Sequence, residues 1–256
     1  TDLKPALVTA LVAATSPLIV LHSRMPYHIS PIPLFSILYL IALSSNSILW
    51  SFFLSGVLLQ LELTTLPLLL LAIYHFYKQK IKFSPKFLVF FLPFLPKIIY
   101  DFNHGFKQTL GFAAWLGYRL LSFINPTSDH GLGQASRINV LKTIFKYYQK
   151  FVAWDQPLIA GLVALLVITS LVKSKNKHKK LITNFILLNF LAFFIHGGPS
   201  EAYFPVLLPI FAISIGLALH HYKKPLLYLS FIILALYNSY YLVKHDFISY
   251  GPTLSL

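Results

Sequence analysis

The chain contains no cysteine. Disulfides, thiolate catalysis and Cys-based metal sites are therefore excluded. It is also poor in acid: 7 Asp+Glu stand against 21 Lys+Arg, for a net charge of +14, and charged residues make up only 11% of the 256 positions. Soluble domains carry roughly 25% charged residues, so there is too little charge here to cover a soluble surface. The sequence has no P-loop, G-x-G-x-x-G, H-E-x-x-H or G-x-S-x-G pattern, which removes the common phosphate-cradle, dinucleotide, zinc-protease and serine-hydrolase signatures. The outer histidines show no metal-ligand spacing with a second His and an acid. No basic n-region precedes the first apolar run and no small-residue cleavage site follows it, so no signal peptide is expected. The chain starts at Thr1 and its one methionine is Met25; an N-terminally truncated segment of a longer protein is expected.

What the sequence does have is apolar length. It is 57% hydrophobic, against about 45–50% for soluble domains, and its mean hydropathy is +0.70. About nine apolar segments stand out, at 5–22, 33–45, 48–62, 66–77, 87–99, 157–172, 181–196, 203–220 and 225–243. A straight span takes about 20 residues, so 33–45, 66–77 and 87–99 are short. Pro93 and Pro96 break any regular helix in 87–99, and Pro67 suits the first turn of its helix. The expected fold is an all-α, polytopic transmembrane helical bundle. It forms a single transmembrane domain over 1–256, with a long extracytoplasmic insertion at about 100–156.

The lysines orient it. Lys78, Lys80, Lys82 and Lys86 form one cluster, Lys173 to Lys180 a second, and Lys223 with Lys224 a third. Threading the segments puts all three on one side with Lys4, and the positive-inside rule makes that side cytoplasmic. Anionic lipid is the expected partner of these clusters; they lack the interleaved aromatics of a nucleic-acid platform. Asp101, Asp129, Asp155, Glu201 and Asp246 then fall outside, Glu62 sits at an outer segment end, and only Asp2 is inside. Lys175 and Lys180 are expected in the cytoplasm, and Ser128 and Ser200 outside. Within the insertion, Lys142, Lys146 and Lys150 recur every four residues. Arg137–Trp154 therefore reads as an amphipathic helix on the outer membrane surface. The stretch 125–134 reads as a loop.

Several outer residues could carry chemistry, each with a plainer alternative. Arg24, flanked by His22, Tyr27 and His28, suits a phosphate because a guanidinium makes forked hydrogen bonds; it equally suits an interfacial anchor. Glu62 is an expensive acid between apolar segments, hence a functional candidate, or a cap on the backbone of Thr64 and Thr65. Asp101 and His104 are placed to form a carboxylate–imidazole pair with Lys97 nearby, or else His104 joins Asn103 in binding the last carbonyls of a helix that stops at Gly105. Glu201 and Tyr203 open a helix, where an acid also suits the N-terminal dipole.

Three stretches resemble the polytopic glycosyltransferases of the GT-C superfamily, of the protein mannosyltransferase and aminoarabinose-transferase type. Ala13-Ala-Thr-Ser-Pro-Leu-Ile-Val-Leu-His-Ser-Arg24 resembles a helix running out to "SP…YSR". Leu54-Ser-Gly-Val-Leu-Leu-Gln-Leu-Glu-Leu-Thr-Thr-Leu-Pro67 is similar to a "GLALLTK-T-LLLP" hairpin. Glu201-Ala-Tyr-Phe-Pro-Val-Leu-Leu-Pro-Ile-Phe211 is similar to an "RY-LP-LP" helix start. The resemblance implies transfer of a sugar from a polyprenyl-phosphate donor to a protein, lipid or glycan acceptor at the outer face of the plasma membrane. No cofactor and no metal are expected. A carboxylate would deprotonate the acceptor hydroxyl, and basic groups would stabilise the departing phosphate.

Glu62 and Asp101 are the catalytic candidates. Arg24, His22, His28 and Lys97 are the phosphate-binding ones. His104, Glu201 and Tyr203 are expected to line the substrate cavity. Two departures stand out. The first outer loop has no acid, which puts the family's catalytic Asp upstream of Thr1. Glu62 and Ala202 stand where the family has Lys and Arg. The rival expectation is a transporter or flippase for a lipid-linked or anionic substrate, although no internal repeat of the kind transporters show is visible. A non-catalytic scaffold would not need the long insertion.

Overall fold

In a computed structural model, the structure describes residues 3–24, 27–81, 84–124, 137–174, 178–196 and 199–245. Among them every regular element is helical and there is no strand. The expected loop at 125–134, with Ser128 and Asp129, lies outside the described residues, as do Asp2, Lys82, Lys175, Lys177 and Asp246. The chain divides into two compact units: Thr1–Ile37, Thr143–Leu187 and Glu201–Leu256 form unit 1, and Leu38–Lys142 with Leu188–Ser200 forms unit 2.

Unit 1 opens with α1 (Leu3–Thr15) and α2 (Pro17–Arg24). The first apolar segment is thus two helices, bent by 59° at Ser16. Pro17 has no N–H to continue the ladder and its ring disfavours helical backbone at the residue before it. The Ser16 hydroxyl leaves the helix and donates to Phe151 O at 2.7 Å. That carbonyl belongs to the last turn of α8 (Arg137–Val152), where carbonyls have no helical partner. Asn238 Nδ2 donates to the next one, Val152 O, at 2.9 Å. Both side chains are buried, so α8 ends inside the protein on two polar clasps.

A 97° bend leads from α8 into α9 (Pro157–Lys173). The unit closes with a 3-10 turn over Glu201–Val206, α11 (Leu208–Tyr222) and α12 (Pro225–Lys244). α1 packs on α11 and α12, and α11 on α9. α1 and α11 meet where Thr9 fills the space beside Gly216 that a Cβ would need.

In unit 2, α4 (Ile48–Leu61) packs against a 3-10 helix over Pro85–Phe94 and against α5 (Leu66–Lys78). Gly56 of α4 faces the Phe90 carbonyl so closely that a side chain there would collide with backbone. The 3-10 path follows from its prolines: Pro85 starts it and Pro93 denies it the α ladder near its end. The Tyr39 hydroxyl, on α3 (Ile32–Ser44), donates to Leu68 O inside α5. After the 3-10 helix come α6 (Leu95–Asn103) and α7 (Lys107–Ile124). The boundaries between units fall within α3, within α8, within α10 (Lys179–His196) and between Ser200 and Glu201.

Helices occupy all the apolar segments, but their lengths differ from those of straight spans. Among the described residues one helix, α12, is long and apolar enough to cross a membrane, and up to three spans result if each bent pair counts as one. At about 1.5 Å per residue, the 13 residues of α3 or α5 fall well short of a hydrocarbon core about 30 Å thick. The lysine-rich stretch of the insertion is helical, with Val140, Ile144, Tyr148, Phe151 and Val152 buried and Lys142 and Lys146 exposed.

Candidate functional site

In unit 2 two of the expected residues meet. α4 ends at Leu61, and Glu62 takes an extended backbone (φ −156°, ψ 126°) before a short 3-10 turn over Leu63–Thr65. Glu62 does not cap that turn with its side chain. The bond runs the other way, from the Thr65 hydroxyl to Glu62 O at 2.8 Å. Glu62 instead lines a cavity of about 560 Å³ together with Lys97 of α6 and with Gln108 and Thr109 of α7. Apart from Gln60 the remaining wall is apolar, with Phe90, Phe91, Phe94 and Phe112 among its side chains. Such a volume suits a small-molecule site, and so does an apolar lining with few polar groups.

Asp101 sits beside this cavity and is occupied. Its two oxygens accept the backbone N–H groups of Gln108 (2.8 Å) and Thr109 (2.7 Å). These are orphan donors in the first turn of α7, so Asp101 clamps α6 to α7. Burial alone would raise its carboxyl. The bonds from Thr109 and Gln108, helped by the Lys97 charge, outweigh that and hold it below the usual carboxylate range. The side chain is only 2% exposed, yet its cover is local, coming from the two helices it joins. His104 does not pair with it. Its Nδ1 contacts Tyr100 O at 2.7 Å and its ring stacks on Tyr100 at 3.9 Å, a helix-end arrangement completed by Gly105 at φ +68°.

Unit 1 holds a second charged group. His22 of α2 is buried, with Nε2 3.7 Å from Glu201 Oε1. Neither of its ring nitrogens is hydrogen-bonded among the described residues. Lys150 Nζ approaches the other Glu201 oxygen at 3.6 Å, and Tyr147 lies close enough to the same carboxylate to feel its charge. The ammonium also lies over the Trp154 ring, 4.5 Å from its centroid. The sequence reading had placed Lys150 with the surface lysines. The signal that separates it is Trp154 four residues on and Tyr147 three residues back, which put two aromatic faces beside the same ammonium.

Arg24 and His28 are exposed, and Tyr203 is half-buried in the 3-10 turn after Glu201. Arg24 makes no ion pair among the described residues. It ends α2, where a cation complements the helix dipole and can snorkel. Arg24 belongs to unit 1, and Glu62, Lys97, Asp101 and His104 to unit 2. Comparison with protein-family models, curated proteins and solved structures returns no match.

Proposed function

We propose that the chain is a multi-pass membrane glycosyltransferase of the GT-C type, moving a sugar from a polyprenyl-phosphate donor to an acceptor on the extracytoplasmic side. The observation that carries this reading is the unit 2 cavity, where Glu62 and Lys97 share a wall that is otherwise largely phenylalanine and aliphatic. A lipid-phosphate sugar has the complementary parts: an anion for the ammonium, a reacting sugar for the carboxylate, and a hydrocarbon chain for the apolar wall. Glu62 is the general base in this scheme because Asp101 already accepts two backbone N–H groups.

Glu62 takes the proton of the acceptor hydroxyl as that oxygen bonds to the anomeric carbon. The bond from this carbon to the phosphate oxygen breaks, and its electron pair leaves on the phosphate. Lys97 offsets the charge that collects there. The transporter alternative would move the donor without breaking that bond.

The test uses membranes containing the full chain and a radiolabelled polyprenyl-phosphate sugar. Glu62→Gln is expected to keep donor binding and to slow release of polyprenyl phosphate by about 10²–10⁴-fold. Lys97→Gln is expected to weaken donor binding. Normal turnover in Glu62→Gln overturns the assignment of the base. Donor carried across the membrane intact would favour the transporter.

A further inference from the structure

α6 is amphipathic, and its apolar face is uncovered. Leu95, Ile98, Ile99 and Phe102 fall at spacings of three, four and seven, the period of one helix face. They are 44%, 49%, 60% and 69% exposed. The face continues through the turn into α7 with Phe106 and Leu110, at 46% and 63%. Phe102 and Phe106 meet edge to face at 5.7 Å, so the two helix ends present one apolar surface. The charges beside it have one free sign. Lys97 and Lys107 are exposed, while the acid of the pair of helices, Asp101, is turned onto backbone N–H groups. A soluble protein rarely leaves so continuous an apolar stripe open. An apolar face with lysine on the polar side, and with its carboxylate withdrawn, is the pattern of a helix lying in a lipid interface.

We propose that the α6–α7 elbow is a monotopic membrane element, with α6 lying in the plane of the interface. Its apolar stripe enters the upper acyl chains, and Lys107 meets anionic lipid headgroups. The Asp101 clamp sets the angle between the two helices and keeps a negative charge away from those headgroups. This does not depend on sugar transfer, since the stripe is a surface feature and only Ile98 also lines the cavity.

The chain has no cysteine, so single spin labels can be placed without background. The full chain is reconstituted in phosphatidylcholine vesicles with and without phosphatidylglycerol. Labels at positions 99 and 102 are expected to be relaxed several-fold more by oxygen than by a water-soluble nickel chelate. A label at 104, on the opposite face, should show the reverse. Phosphatidylglycerol should deepen the labels at 99 and 102, and Lys107→Glu should abolish that increment. On the unsubstituted chain, phosphatidylglycerol with a diazirine high in its acyl chain should crosslink within residues 95–110. Nickel access at 99 and 102 equal to that at 104 overturns the proposal. So does shielding of both labels from both reagents, which would mean that protein covers the stripe, and so does crosslinking that avoids 95–110.

Discussion

Glu62 and Asp101 are two acids at helix ends, and their neighbours give them different work. Glu62 has its backbone carbonyl taken by Thr65 and its side chain on the cavity wall. Asp101 has both oxygens on α7 amides, which lowers its carboxyl. A lowered folded pKa contributes stability above the unfolded value, about 3.9, and that contribution is lost as pH falls through the lower folded value. Hydrogen exchange at the Gln108 and Thr109 amides, corrected for intrinsic rate, should therefore be steady from neutral pH to about 5 and faster below about 4. Asp101→Asn keeps one acceptor and loses the charge. It should raise exchange at these two amides on the order of tenfold at neutral pH, leaving amides in α12 unchanged. Equal exchange in the variant would show that the clamp does not hold α7. Both acids were legible in the sequence as candidates, but their division of labour was not, because it depends on amides seven and eight residues away in the next helix.

At the scale of elements, close approach decides which glycines matter. Gly56 of α4 faces backbone of the 3-10 helix, while Gly161 of α9 has open space where its Cβ would be. Helix propensity alone favours Ala over Gly at either place by about 1 kcal/mol. Gly56→Ala should nevertheless destabilise the protein by about 1–3 kcal/mol, because backbone cannot yield as a side chain can. Gly161→Ala should be neutral or slightly stabilising. Thermal unfolding of both variants in the same detergent checks this, and a Gly56→Ala protein as stable as the parent would show that the two helices are not in contact there. The lysine-spaced helix over Arg137–Val152 was readable from its period, as was Pro67 in the first turn of α5. α7 was missed, because its sequence mixes Gly111 and Gly117 with polar residues and hides the apolar period. The break at Ser16 was also missed. A Ser-Pro pair inside an apolar run reads as a kink at most until Phe151 O supplies the partner that draws Ser16 away.

At the scale of the whole molecule, the lysine clusters argue for a cytoplasmic side, while helix lengths among the described residues give one clear span and up to three with bent pairs. On the proposed topology, a single cysteine at position 180 should react with an impermeant maleimide only after the cells are opened, and one at position 200 should react in intact cells. Labelling of both in intact cells would place the cluster outside and reverse the orientation on which the outer-face chemistry rests.

By itself the sequence determined the helical class, the positions of the apolar segments and the clustering of lysines between them. These properties reside in composition and period, and no distant contact alters them. Tertiary structure decided the rest: that Glu62 and Lys97 share a cavity, that Asp101 is a clamp, and that Lys150 leaves its row of surface lysines for Glu201. Each of these pairs residues from separate elements, and a pattern read along one helix carries no information about which neighbour a side chain will meet.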